Sequence, residues 1–200
     1  MSLDTAINII SLEELKTYFE GSTTGSTTND EKLNQLINGV SDYFNKYCGR
    51  TIKLTEYSPE LPDYDGNGTA NMYLNNWPIS TSGATVYIDE SWAFTTDTIA
   101  TTSDINASTN DGRLHYRGIF PAGYQNIRVY YSGGYSSSQM PHDLKRAAME
   151  MCQFWWNRET KKDRVGVRNE QFEGGSRTFE TDMPWSVVKV LEYYKGPRYG

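Results

Sequence analysis

Tyr43-Phe-Asn-Lys-Tyr-Cys-Gly-Arg50 closes one amphipathic segment and Met140-Pro-His-Asp-Leu144 opens another, with about ninety Tyr-, Thr- and Gly-rich residues between them. Before the first of these stretches, Leu33, Leu36, Ile37, Val40, Tyr43, Phe44 and Tyr47 recur at three- and four-residue spacing, and Gly49 supplies the stop. After the second, Pro141 suits a first helical turn, and Leu144, Ala147, Ala148, Met151, Cys152 and Trp155 repeat in the same way. Two helices far apart in sequence are therefore expected to share one core. The residues between them grow out as an insertion.

Within the insertion the period changes to two. Ile52 and Leu54, then Met72 and Leu74, then Ala84, Val86 and Ile88, then Leu114 and Tyr116, then Ile127, Val129 and Tyr131 each alternate with polar neighbours. That is the pattern of antiparallel strands buried on one face. Asp65-Gly66, Asn67-Gly68, Asn110-Asp-Gly112 and Ser132-Gly-Gly134 are read as the turns. Residues 89–110 carry the weakest pattern.

Two further helices complete the helical part. Ser11-Leu-Glu-Glu14 is a capping-box sequence that opens a helix over 11–20, and Asn29 and Asp30 are read as caps of the helix over 29–48. Gly21 to Thr28, all Gly, Ser and Thr, reads as a mobile connection. Pro184 begins a last helix with Val187, Val190, Leu191 and Tyr194 along one side, and Gly196-Pro197 stops it. The expected class is α+β, a small helical bundle with an antiparallel β insertion between the second and third main helices. In domain terms this is one domain over 1–200, with a helical core at 11–50 and 141–195 and the β insertion at 51–135.

Composition narrows the function. The formal charge is −6, with four basic and seven acidic side chains in 1–50, four and nine in 51–140, and eleven and nine in 141–200. A domain that grips duplex DNA carries a basic stripe, so sequence-specific DNA binding is disfavoured. Cys48 and Cys152 are too few for a disulfide framework and sit at apolar helical positions. No secretory leader and no run of 18 apolar residues is visible, so a protein made in a cytoplasm and independent of membranes is expected. Fifteen tyrosines against seven phenylalanines suit half-wet strands and subunit contacts.

Catalytic and metal signatures are weak. Asp63-Tyr-Asp-Gly-Asn-Gly68 imitates the first half of a calcium loop, but the position of the bidentate Glu is Leu74. His115 and His142 have no Cys or His at ligand spacing. There is no Gly-x-Ser-x-Gly elbow, and the glycine-rich pieces lack a Gly-Lys-Ser/Thr ending. No enzyme activity, cofactor or metal is expected.

The order of several segments carries a family resemblance over roughly 29–195. They are Tyr47-Cys-Gly-Arg50, Tyr64-Asp-Gly-Asn-Gly68, Leu74-Asn-Asn-Trp-Pro-Ile79, Asn126-Ile-Arg-Val-Tyr-Tyr-Ser-Gly-Gly-Tyr135, Met140-Pro-His-Asp-Leu144, and a Gly-Gly-Ser loop before a terminal amphipathic helix. Together they resemble the head-tail connector (adaptor, or head-completion) proteins of long-tailed phages and prophages. The resemblance implies a non-enzymatic subunit of a virion neck, assembled in the bacterial host cytoplasm. It would form a ring, usually a dodecamer, between the portal protein and a downstream neck or tail-completion protein, with double-stranded DNA passing through.

For such a ring the candidate subunit or portal contacts are Phe154, Trp156, Phe172, Arg177, Phe179, Tyr193 and Tyr194. Phe172 to Phe179 reads either as an arm that orders against a neighbour or as a plain surface loop. Arg158, Lys161, Lys162, Arg164 and Arg168 form a basic cluster that faces DNA, an acidic partner or solvent. The alternative from another class is a β-rich binding module, tail-associated or carbohydrate-binding, with a pocket walled by Trp77, Trp92 or nearby tyrosines of the insertion.

Overall fold

A computed structural model describes residues 7–20, 27–108, 110–160, 169–172, 175–178 and 183–196. The chain divides into two compact units, Met1–Gly49 with Met140–Gly200, and Arg50–Gln139. The first is helical and the second is built of strands, so the class is α+β, with the second unit inserted between two helices of the first.

The helical unit contains α1 (Leu12–Glu20), α2 (Asp30–Cys48), α3 (His142–Thr160) and α4 (Trp185–Tyr194). The capping box forms at α1. Ser11 N–H donates to Glu14 at 2.8 Å, and Glu14 N–H donates to the Ser11 hydroxyl at 3.2 Å. At α2 the cap differs from the expectation. Asn29 makes no side-chain cap bond, because Thr27–Asn29 forms a 3-10 turn that already leads the backbone into the helix. Gly49 ends α2 at φ 67°, a left-handed conformation that a side chain would disfavour.

Leu36, Ile37, Val40 and Phe44 of α2, Leu144, Ala148 and Met151 of α3, and Val187 and Leu191 of α4 are buried. Each large aliphatic or aromatic member contributes roughly 1.5–3 kcal/mol on burial. Polar ties fix the packing. Lys145 reaches Glu14 at 2.7 Å, the Tyr47 hydroxyl donates to Glu192 at 2.5 Å, and Gly196 N–H donates to the Cys48 carbonyl at 3.1 Å. The two ends of the polypeptide are thereby joined inside one unit.

The inserted unit is organised on one strand. β7 (Gly123–Gly133) pairs antiparallel with β4 (Ile79–Ile88) along one edge, and along the other with β1 (Thr55–Tyr57) and β2 (Tyr64–Gly66). A second sheet has β6 (Arg113–Tyr116) between β3 (Asn71–Tyr73) and β5 (Ile105–Ala107). Met72 and Leu114 from this sheet join Ile79, Val86, Ile127 and Val129 from the first in one apolar cluster. The period-two pattern of β7 drives that arrangement. Ile127, Val129 and Tyr131 turn inward, while Arg128 and Tyr130 do not.

Two turn expectations change. Asp65 and Gly66 lie in β2 instead of a turn, because the Asn126 side chain accepts the Gly66 N–H at 2.8 Å and donates to the Pro121 carbonyl at 2.9 Å. Ser132 and Gly133 continue β7, and the bend falls on Gly134 at φ 109°. Residues 105–107, inside the weakly patterned stretch, form β5, whose partner β6 supplies the pairing that local sequence does not advertise. In the helical unit, Asn169–Phe172 and Gly175–Thr178 form an antiparallel hairpin, β8 and β9.

Candidate interaction surfaces

The apolar arc of α3 is largely consumed within its own unit. The Trp155 ring meets Tyr43 edge-on at 5.9 Å and lies over Gly39, where an added Cβ would come within 3.1 Å of it. Trp156 lies 6.2 Å from Phe19. Both rings, like that of Phe154, are half-buried. The exposed Arg158 guanidinium stands 5.7 Å from the Phe154 ring, within cation–π range.

α4 separates its two sides sharply. Val187, Leu191 and Tyr194 are buried, and the Tyr194 hydroxyl donates to the Asp143 carboxylate at 2.8 Å. Tyr194 therefore serves the packing of this unit and turns away from any outer contact. Tyr193 is 84% exposed and Trp185 62%. With Lys189 they occupy positions i, i+4 and i+8, one outward stripe. Lys189 Nζ sits 3.7 Å from the Trp185 ring centroid.

Phe172 and Arg177 lie on the two strands of the β8–β9 hairpin, where Phe172 is opposite Gly175 and Arg177 opposite Glu170. Phe179, Lys161, Lys162, Arg164 and Arg168 lie outside the described residues, as does most of the Gly21–Thr28 connection. Of the proposed basic cluster, only Arg158 is described.

The inserted unit has a surface that sequence reasoning touched only at Trp92. Three segments converge at the end of the sheet where β7 begins. Trp92 Nε1 donates to the Tyr124 carbonyl at 3.0 Å, Gln125 N–H donates to Asp65 at 2.7 Å, and Arg128 holds Asp63 through two bonds of 2.8 Å. The Arg128 guanidinium also stacks 4.1 Å from the Phe94 ring. Trp92, Phe94 and Gln125 all have positive φ, at 59°, 47° and 47°. Such backbone costs about 1–3 kcal/mol per residue and persists only where its surroundings impose it.

For the Trp92 and Phe94 loop the imposing group is Asp89. Its carboxylate accepts the Ser91 N–H at 2.8 Å, the Ser91 hydroxyl at 2.6 Å and the Phe94 N–H at 2.8 Å. The Ser91 hydroxyl and backbone bonds outweigh partial burial and hold the Asp89 carboxyl below the usual range. The loop so fixed leaves Trp92 60% exposed beside Tyr124, which is 69% exposed. An Asp two residues before a Ser-Trp pair is Asx-turn chemistry, the one local signal for this tip.

Trp77 is placed differently. Arg50 is buried with its guanidinium 3.7 Å from the Trp77 ring centroid, and it donates to the Trp77 carbonyl. Trp77 precedes β4 and Trp92 follows it, separated by roughly 30 Å of extended chain. The two tryptophans do not wall one pocket. In the calcium-like stretch, Asp63 is engaged by Arg128 and Asp65 by Gln125, and among the described residues no three His, Cys, Asp or Glu side chains gather at metal-binding range.

A model of the head completion protein family matches residues 8–196. The chain belongs to the head completion protein family. No curated protein sequence matches it. Among solved structures, a chain from the neck of an empty gene transfer agent particle computed with C6 symmetry is similar at TM-score 0.59 and 13% identity, over 100% of this chain and 96% of that one. A chain from the virion of a native gene transfer agent particle gives 0.56 at 13% identity, over 100% and 95%. A third, from the neck of the native particle computed with C12 symmetry, gives 0.51 at 12%, over 100% and 98%. At these identities the likeness speaks for a shared fold that runs the full length of this head completion protein, inserted β unit included.

Proposed function

We propose that this chain is a non-enzymatic subunit of a particle neck, forming a dodecameric ring that continues the DNA channel between portal and tail. The observation that carries the proposal is the family match over residues 8–196. The likeness along the whole chain to proteins from necks of gene transfer agent particles supports it. The charge of −6 suits a lumen wall, since duplex phosphates are repelled and slide instead of adhering.

In this reading Phe154, Trp156, Tyr193, and the hairpin bearing Phe172 and Arg177 with Phe179 beyond it, meet the neighbouring subunit, the portal or the next neck component. Arg158 with Lys161, Lys162, Arg164 and Arg168 meets DNA or an acidic partner. Assembly takes place in the host cytoplasm.

The test is production of particles with the gene deleted. DNA-filled heads should lose their genome and carry no tails, and purified protein added to freshly filled heads should restore tail attachment. Tailed particles that retain DNA without this chain would overturn the proposal. Truncation before Pro184 is a poor probe of docking, because it removes the buried Val187, Leu191 and Tyr194.

A further inference from the structure

We infer that neighbouring copies of this chain meet head to tail, with the Trp92–Tyr124 tip of one copy seated on the Trp185–Lys189–Tyr193 stripe of α4 in the next. The inference rests on the ring reading above and names the two surfaces that would make it.

The tip has the properties of an anchor. Trp and Tyr dominate the energetics of protein contacts, and an anchor already fixed in position loses little freedom on binding. Trp92 is fixed by its own indole bond to Tyr124 and by the Asp89 network that sets the positive φ on both sides of Ala93. An exposed tryptophan on a strained loop is unexplained by the packing of its own unit, since its ring faces out.

Charge selects the occupant. The exposed side chains of Asp65 and Glu90 flank the two aromatics. No basic residue occurs in 89–99 or 118–127, and the nearby Arg128 is already held by Asp63. Nucleic acid and anionic lipid are repelled by such a tip, so a protein surface that joins a cation to aromatic area is required. The α4 stripe offers this combination, a lysine lying on a tryptophan ring with a tyrosine one turn on. Glu192, the neighbouring acid on α4, accepts from Tyr47 and Lys195. One polypeptide thus carries two different, complementary surfaces, which is what a heterologous, ring-forming contact needs.

Charge reversal tests the pairing in the full-length chain. Glu90→Lys and Lys189→Glu are exposed substitutions expected to leave thermal unfolding unchanged, and each alone should weaken self-association at least about tenfold in sedimentation velocity. An equal mixture of the two should restore it, because in a ring where the two variants alternate every junction joins opposite charges. Trp92→Ala should weaken association in the same assay without rescue by mixing, and rising salt should weaken the wild-type contact. Wild-type rings that neither reversal disturbs, or a mixture that fails to recover, overturn this contact while leaving the ring in place. Wild-type protein that stays monomeric when concentrated, and shows no self-crosslinks in purified particles, removes the contact and the ring reading together.

Discussion

Tyr131 donates its hydroxyl proton to Glu60 at 2.6 Å, joining residues 71 positions apart in sequence. Glu60 is buried, and it also accepts from the Tyr64 hydroxyl and from the Asn76 side chain at 2.8 Å. Each tyrosine oxygen in turn accepts a backbone N–H, from Asn75 at 3.0 Å and from Asn76 at 3.3 Å. A buried carboxylate with this many donors locks the segments around Glu60 and Asn76 onto β7. Tyr131→Phe is expected to lower the unfolding free energy by about 2 kcal/mol, since it strips a donor from a buried charge. Urea denaturation measures it, and a loss below about 0.5 kcal/mol would mean that this bond contributes little to stability.

Arg50 is held between Trp77, at 3.7 Å from the ring centroid, and Tyr135, at 5.9 Å. Arg50→Lys keeps the charge but not the flat stacking face, so it should recover less than half of the stability lost in Arg50→Ala. That loss is expected to be about 3 kcal/mol. Wild-type stability of Arg50→Lys would show that charge alone matters at this site.

Gly66 touches the loop ahead of β7 so closely that a Cβ there would stand 1.7 Å from the Pro121 carbonyl oxygen. No rotamer relieves a clash with backbone. Gly66→Ala should therefore force β2 off β7 and expose Tyr64, read as increased amide exchange at Tyr64 and Gly123. Unchanged protection at both amides would contradict the close approach.

Stability should fall on the alkaline side. Burial pushes the Cys152 thiol up from 9.0 to about 12, and the hydrogen bond to Glu192, helped by burial, pushes the Tyr47 phenol up from 10.0 to about 12. Burial first, and then the neighbouring Glu60, also raises Tyr131. Groups whose folded values are raised favour the native state fully below their unfolded values. That advantage is lost as pH climbs through the window from about 9 to about 12. The urea midpoint should decline across this window, and Cys152→Ala should flatten its lower part. Native Cys48 and Cys152 should both resist a thiol reagent at pH 8 and react once the chain is unfolded.

The helices were legible because their information is local. The spacing of Leu33 through Phe44, the Ser11–Glu14 pair and Gly49 each act within a few residues, and each appears as read apart from the Asn29 cap. The strands were legible by face but not by extent. Ile127, Val129 and Tyr131 alternate visibly, whereas the bond from the Asn126 side chain that keeps Gly66 extended spans 60 residues and leaves no local trace. Among the candidate contacts, Tyr193 and Tyr194 are neighbours in sequence, and only the phase of α4 against α3 tells which one faces out. In the sequence Trp92 stood only as a candidate pocket wall. Its importance depends on Asp89 and on a Tyr124 carbonyl 32 residues away.

The inserted unit is clasped where the chain enters and leaves it. Lys53 and Tyr135 form a parallel bridge, Leu54 N–H donates to the Tyr135 carbonyl at 2.9 Å, and Tyr135 N–H donates to the Ile52 carbonyl at 2.8 Å. A segment whose two stems are stitched together in this way carries its own closure, like a purse with a drawstring. Residues 50–139 thus form a unit whose entry and exit segments are tied to each other.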